Sequence, residues 1–231
     1  MPTRKKFFGR KRKFAKRKRA PRRASGPSRT NLYRTGAFAD RHFCKLRYAT
    51  TKTISNIPSL GSTVFSTNLY DPDYTGIGHQ NMGFDQLAAI YNRYRVYGIT
   101  YKLTFVNTST QMQTEVAAIH KVTSGLESTM EDLLERPYRK SMILGIEGSG
   151  QAVKTITGYL DLSRLWGVAK KLVRIDDLYQ AAVGDTGGPT RQGYLQLYTW
   201  PLDGTTATAS YCRVQMIHHC VFFDRKNLIS S

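Results

Sequence analysis

The densest chemistry in this chain of 231 residues is cationic. Arg4, Lys5, Lys6, Arg10, Lys11, Arg12, Lys13, Lys16, Arg17, Lys18, Arg19, Arg22, Arg23, Arg29 and Arg34 put fifteen positive charges into residues 1–39, a stretch without one carboxylate. Each of these side chains can neutralise a phosphate and release its condensed counterion, which gives binding that is strong, salt-sensitive and indifferent to sequence. Blocks of like charge repel and stay solvated until a polyanion condenses them, and nucleic acid is the leading candidate. The bland alternative is a solvated tail with no task, against which stand the density of the bases and the lack of acid. Phe7, Phe8 and Phe14 lie among the bases; they stack on nucleobases, sit idle, or belong to an amphipathic helix. The runs 10–13 and 16–19 also have the composition of a nuclear localisation signal.

Other chemistry is sparse. Cys212, His218 and Cys220 share one face of a strand, but Cys212 and Cys220 stand eight residues apart, too far for one ion, so no metal site is expected. Residues 145–150 have the glycine spacing of a phosphate loop but continue as Gln151-Ala152, without the Lys-Ser/Thr that would hold phosphate and magnesium. No nucleophile elbow and no zinc-protease helix occur, so neither catalysis nor a cofactor is expected. Cys44, Cys212 and Cys220 are an odd set with no apolar leader segment before them, which favours free thiols in a reducing compartment. Asn107-Thr108-Ser109 matches the glycosylation triplet and is expected to be idle. Tyr91, Tyr94, Tyr97, Tyr101 and Trp200 are expected in the core or in subunit contacts rather than as a base-stacking platform.

What must carry the basic run is a body of the opposite character. The whole chain has 35 Lys+Arg against 16 Asp+Glu, a net +19, of which residues 40–231 keep only +4. Those residues are rich in Tyr, Phe, Thr and Val, a strand-forming palette with enough length for one substantial core. No window approaches a membrane-spanning run. Period-2 alternation and dense β-formers predict eight strands at 43–54, 62–70, 96–107, 114–122, 138–144, 152–162, 193–200 and 209–223. Helices are expected at 84–93 and from Ser128, where Ser128-Thr129-Met130-Glu131 reads as a capping box, with a further helical turn at 176–183. The gaps between strands alternate short and long throughout, so in an antiparallel domain the short loops gather at one end. The fold expected is all-β: a single eight-stranded antiparallel jelly roll at 40–231, with long inter-strand loops, behind a disordered basic arm at 1–39. An up-and-down barrel would alternate in the same way.

Strand alternation also places lesser bases. Cys44, Leu46 and Tyr48 share one face of the first strand, leaving Lys45 and Arg47 on the other. Tyr101, Leu103 and Phe105 oppose Lys102 and Thr104, while Cys212, Val214, Met216, Cys220 and Phe222 oppose Arg213, Gln215 and His219. In a jelly roll these three strands belong to one sheet. Lys45, Arg47, Lys102 and Arg213 then form either a basic floor beneath the arm or ordinary solvated strand faces.

Taken together, the basic run 4–23, the strand-and-loop layout of 43–223, and Gly83-Phe84-Asp85-Gln86-Leu87 through Tyr91, Tyr94, Val96, Val106 and Asn107 resemble the capsid proteins of circovirus-like circular single-stranded DNA viruses. The arm departs from that pattern in mixing Lys freely with Arg and in carrying Phe7, Phe8 and Phe14. The resemblance implies a jelly roll, sixty copies in a closed icosahedral T=1 shell, and an arm that both packages the genome and addresses the nucleus. Its partners would be single-stranded DNA, copies of itself, a host nuclear import receptor and a host cell-surface receptor, without membrane insertion. Its places would be the virion and the host nucleus. Sixty arms would bring roughly 900 positive charges into the lumen, on the order of what one or two kilobases of single strand need for partial neutralisation. Two other classes compete. A ribosomal-type nucleic-acid-binding protein usually carries positive charge over its globular face as well. A transit peptide ahead of an organellar enzyme would space its bases on one helical face and use more serine.

Overall fold

In the computed structural model, residues 38–56, 60–76 and 78–227 are described. The chain divides into two units, Met1–Phe38 and Ala39–Ser231, and every described strand belongs to the second. Alternation of apolar and polar residues resolves into β1 (Arg41–Asn56), β2 (Gly61–Ser66), β3 (Tyr91–Asn107), β4 (Thr114–Lys121), β5 (Arg139–Leu144), β6 (Val153–Asp161), β7 (Gln180–Ala182), β8 (Tyr194–Pro201) and β9 (Thr208–Arg225). One sheet runs β1-β9-β3-β6 with the short β7 beside β3; the other runs β2-β8-β4-β5. Every pairing is antiparallel. β1 and β2 fall in opposite sheets, as do β3 and β4, β5 and β6, and β8 and β9. That wrapping is the jelly roll, and it excludes the up-and-down barrel, in which sequence neighbours pair.

The short connections gather at one end. There Asn56 pairs with Thr208 and Thr114 with Pro201, and the loops are knitted by Thr208 donating to Asn56 Oδ1 (2.8 Å) and Asn107 Nδ2 donating to Gly145 O (3.0 Å). Between the sheets lies the main core, including Tyr48, Tyr101, Leu103, Phe105, Val214, Met216, Leu195 and Leu197. A second cluster, around Phe84, Tyr94 and Phe222, seals the long-loop end.

Helices are short. α1 (Phe84–Ala88) stops where β-propensity takes over, so the helix expected to reach residue 93 ends five residues early and β3 begins at Tyr91. α2 (Met130–Glu135) is capped by Thr129 rather than Ser128: the Thr129 hydroxyl accepts from Asp132 N at 3.2 Å. Leu133 anchors it on the outer side of the second sheet, against Ala117, Ile119, Tyr198 and Trp200. α3 (Leu162–Leu165) begins at the last residue of the strand expected at 152–162, and with α4 (Lys170–Ile175) it occupies the first part of the long connection, where sequence periodicity gave no helix ahead of the turn at 176–183. The turn expected at 176–183 is a single 3-10 turn, Asp177–Tyr179, after which the chain extends into β7. No helix among the described residues is long and apolar enough to cross a membrane.

Candidate nucleic-acid interface

The arm bases from Arg4 to Arg34, including both runs of nuclear-localisation composition, lie outside the described residues. What the structure does place is the second set. Lys45, Arg47, Lys102 and Arg213 all point from the outer face of the β1-β9-β3-β6 sheet and all are exposed. The register sets them on successive rungs. Lys45 faces His219, Arg47 faces Ile217, Lys102 faces Gln215, and Arg213 lies between Thr51 and Thr104. The result is a basic stripe that steps along the outer face over three adjacent strands.

Some charges elsewhere are matched. Lys121 and Arg136 both reach Glu127, at 2.7 and 3.0 Å, and hold its carboxyl below the usual range against the opposing effect of burial. Lys52 pairs with the buried Asp73. By contrast, among the described residues no carboxylate comes within ion-pair distance of any of the four stripe bases. A shallow groove of about 720 Å³ runs beside them, lined by Arg47, Lys102, Lys140, Tyr159 and Gln215. The rest of its lining is largely apolar, with Tyr48, Tyr101 and Met216; the cations at its edge, Arg47 and Lys102, are suited to a phosphate backbone, which they hold without reading its sequence.

Histidine joins this face in a neutral role. His219 Nε2 shares a 2.8 Å hydrogen bond with Thr100 Oγ1, and burial together with Lys45 pushes its pKa down.

Sequence reasoning missed a further part of the face. Gly98 interrupts β3, and between Val96 and Gly98 the register shifts so that Tyr97 is an extra, unpaired residue. A Cβ on Gly98 would stand 2.3 Å from Leu160 O, so the close approach requires glycine. The bulge turns Tyr97 outward, away from the buried Tyr91, Tyr94 and Tyr101, and Tyr97 is only half-buried. An isolated glycine within a strand pattern is the signal that marks such a bulge.

The other motifs resolve into structure. Cys212 packs between the sheets while Cys220 belongs to the second cluster, so the imagined metal set is not brought together. All three cysteines are free. Cys44 and Cys220 are register partners with sulfurs 3.5 Å apart, and their hydrogen bond pushes the Cys44 thiol down and the Cys220 thiol up. Asn107 is buried with its amide nitrogen bonded to Met112 O and Gly145 O, leaving no free amide for a glycan. The glycine-spaced stretch 145–150 is a tight turn between β5 and β6, closed by Gly145 N donating to Gln151 O at 3.0 Å. Trp200 is core, as are Tyr91, Tyr94 and Tyr101.

Strand order and sheet pairing thus define the class of the body: an antiparallel jelly roll whose four outward stripe bases have no ion-pair partner among the described residues. No family model matches the chain, and no curated protein does. Among solved structures it is similar to the BFDV capsid protein in a 60-mer, at 12% identity over 84% of this chain and 100% of that one, with a TM-score of 0.45. It is also similar to the giant freshwater prawn Macrobrachium rosenbergii nodavirus in a semi-empty VLP (10% identity, 82% and 97% covered, TM-score 0.45). A third is turnip yellow mosaic virus (10% identity, 82% and 99% covered, TM-score 0.39). These likenesses are remote, and the strand order carries the fold by itself.

Proposed function

We propose that this chain is a viral capsid protein of the circovirus-like kind, a structural and non-catalytic protein that closes into a small icosahedral T=1 shell of sixty copies. Its basic arm packages a single-stranded DNA genome and, through residues 10–13 and 16–19, addresses the host nucleus through an import receptor. The virion surface then meets a host cell-surface receptor. One observation carries this reading: fifteen of the positive charges sit in residues 1–39, while the jelly-roll body is left at +4. A protein that only binds nucleic acid gains by spreading charge over its fold, whereas one that must also pack against its own copies gains from a nearly neutral body. Apolar surface on the body supports the same reading. Tyr138 and Ile143, on or beside the edge strand β5, and Leu126 in the loop after β4 are about half exposed, the kind of surface that copies of a chain bury against one another.

Size-exclusion chromatography and electron microscopy of the full-length recombinant protein test this. Uniform closed particles that carry nucleic acid are expected; a monomer at both low and high salt would instead favour the ribosomal-type alternative. The stripe is the second element of the proposal, as a basic floor facing the lumen. Replacing Lys45, Arg47, Lys102 and Arg213 with Gln is expected to lower the packaged DNA and its resistance to salt while leaving shells closed. Unchanged DNA content at raised salt would show that the stripe is only a solvated strand face.

A further inference from the structure

Beyond the stripe, the same sheet face holds a second and more enclosed cationic feature. At the corner where α4 folds over β3 and β7, Arg41, Arg95 and Arg174 converge on a pocket of about 210 Å³ that also includes Tyr97 and Phe223. Arg95 is the unusual member, because only 5% of it is exposed. One of its terminal nitrogens donates to Arg174 O and the other to Gln180 Oε1 at 3.0 Å, while its guanidinium carbon lies 5.4 Å from the Phe223 ring centre. Its Nε is buried without a hydrogen-bond partner. Burying a guanidinium is costly unless its donors are used. The nearest carboxylate, Asp177, stands 3.9 Å away, is itself 85% exposed, and accepts from Gln180 Nε2 at 2.8 Å. Asp176 also acts on Arg95 from the same turn, so three guanidiniums against two carboxylates leave the pocket with an excess of positive charge.

Two aromatic rings adjoin it, Phe43 exposed and Tyr97 half-buried. Phe43 is 65% exposed and lies near-parallel to Tyr97, with ring centres 6.4 Å apart and planes 23° from each other. The Arg174 guanidinium carbon lies over the Tyr97 ring, 5.8 Å from its centre. All three guanidiniums act on the Tyr97 hydroxyl, where they oppose the upward push of burial on its pKa. Along β1 the outward residues read Arg41, Phe43, Lys45, Arg47, so the pocket runs directly into the stripe.

We propose that the pocket of Arg41, Arg95 and Arg174 binds one phosphodiester group of a single-stranded nucleic acid, with the adjoining base laid on Phe43 and Tyr97. This rests on the nucleic-acid packaging reading above and gives it a specific seat on the folded body. The chemistry selects the ligand. Guanidinium forks match oxyanions, the two non-bridging oxygens of a phosphodiester as well as a carboxylate, and the aromatic rings beside the pocket are what favour a nucleotide. Aromatic ledges beside basic grooves are how single strands are held without regard to sequence.

The test is ultraviolet cross-linking of an oligothymidylate to the full-length protein, followed by peptide mapping, in wild type and in R41Q/R174Q, two exposed positions. Cross-links are expected on peptides holding Phe43 or Tyr97. In the double variant they should fall roughly tenfold relative to cross-links within residues 1–39, as expected for loss of at least one charge-assisted contact. Cross-links confined to residues 1–39 in wild type would overturn the proposal while leaving capsid assembly and arm-driven packaging untouched. So would a rise in melting temperature with inorganic phosphate, over chloride at equal ionic strength, in the absence of those cross-links, since the pocket would then take the free anion. Failure of R41Q/R174Q to form shells, with monomer folding intact by circular dichroism, would reassign the pocket to a contact between copies and equally overturn it.

Discussion

At the scale of single residues, two histidines, one fully buried and one half-buried, make the body sensitive to acid. His218 is fully buried, and burial pushes its pKa from 6.5 down to about 4. His120 shares a 2.9 Å hydrogen bond with the Tyr101 hydroxyl, and burial, reinforced by Lys140, pushes it to about 4 as well. In the unfolded chain both would take up protons near 6.5. Between those two values the unfolded state binds more protons, so stability is lost as pH falls through the window. Each histidine contributes on the order of 3 kcal/mol across the full interval. Urea unfolding midpoints should therefore drop between pH 6.5 and 4.5, and the slope against pH should flatten in H120Q and H218Q even though both variants start less stable. A slope that these replacements leave unchanged would remove the histidines from the account. Neither role was legible in the sequence, because a histidine on an alternating strand gives no sign of which sheet face will be covered.

Among the elements, strands were far more legible than helices. The inward faces of β1, β3 and β9 follow from alternation alone, and so do the exposed positions of Lys45, Arg47, Lys102 and Arg213. The alternation of short and long gaps foretold the gathering of short loops at one end, though only the sheet pairings separate a jelly roll from an up-and-down barrel. α3 and α4 escaped notice because they run only four and six residues, too short to show a helical period or to hold without tertiary support. That gap hid the arginine pocket, since α4 is what brings Arg174 to Arg95. α2 shows how such support works. Its one fully buried side chain, Leu133, packs on Ala117, Ile119, Tyr198 and Trp200, and the Thr129 cap fixes its first turn. Leu133→Ala is expected to cost about 2–5 kcal/mol in denaturant unfolding. Thr129→Ala should cost about 1 kcal/mol. Equal, sub-kilocalorie effects would mean that the helix is merely draped on the sheet.

For the molecule as a whole, composition was the most informative feature. The split between a +15 leader and a +4 body is visible without any structure, and the proposed reading of a container rather than a binding module rests on it. The fold then supplies what charge counting lacks: an ordered surface on which a stripe of unpaired bases and an arginine pocket lie on one face. Salt should separate the two parts of the molecule. Polyanion binding by the leader weakens steeply as salt rises, whereas contacts between apolar body surfaces do not. The most direct measurement is electron microscopy, together with the ratio of ultraviolet absorbance at 260 and 280 nm, on particles made from the chain with and without residues 1–39. The account predicts closed shells from both forms, with nucleic acid absent or nearly so from the truncated one. Truncated shells as rich in nucleic acid as the full-length particles would contradict it.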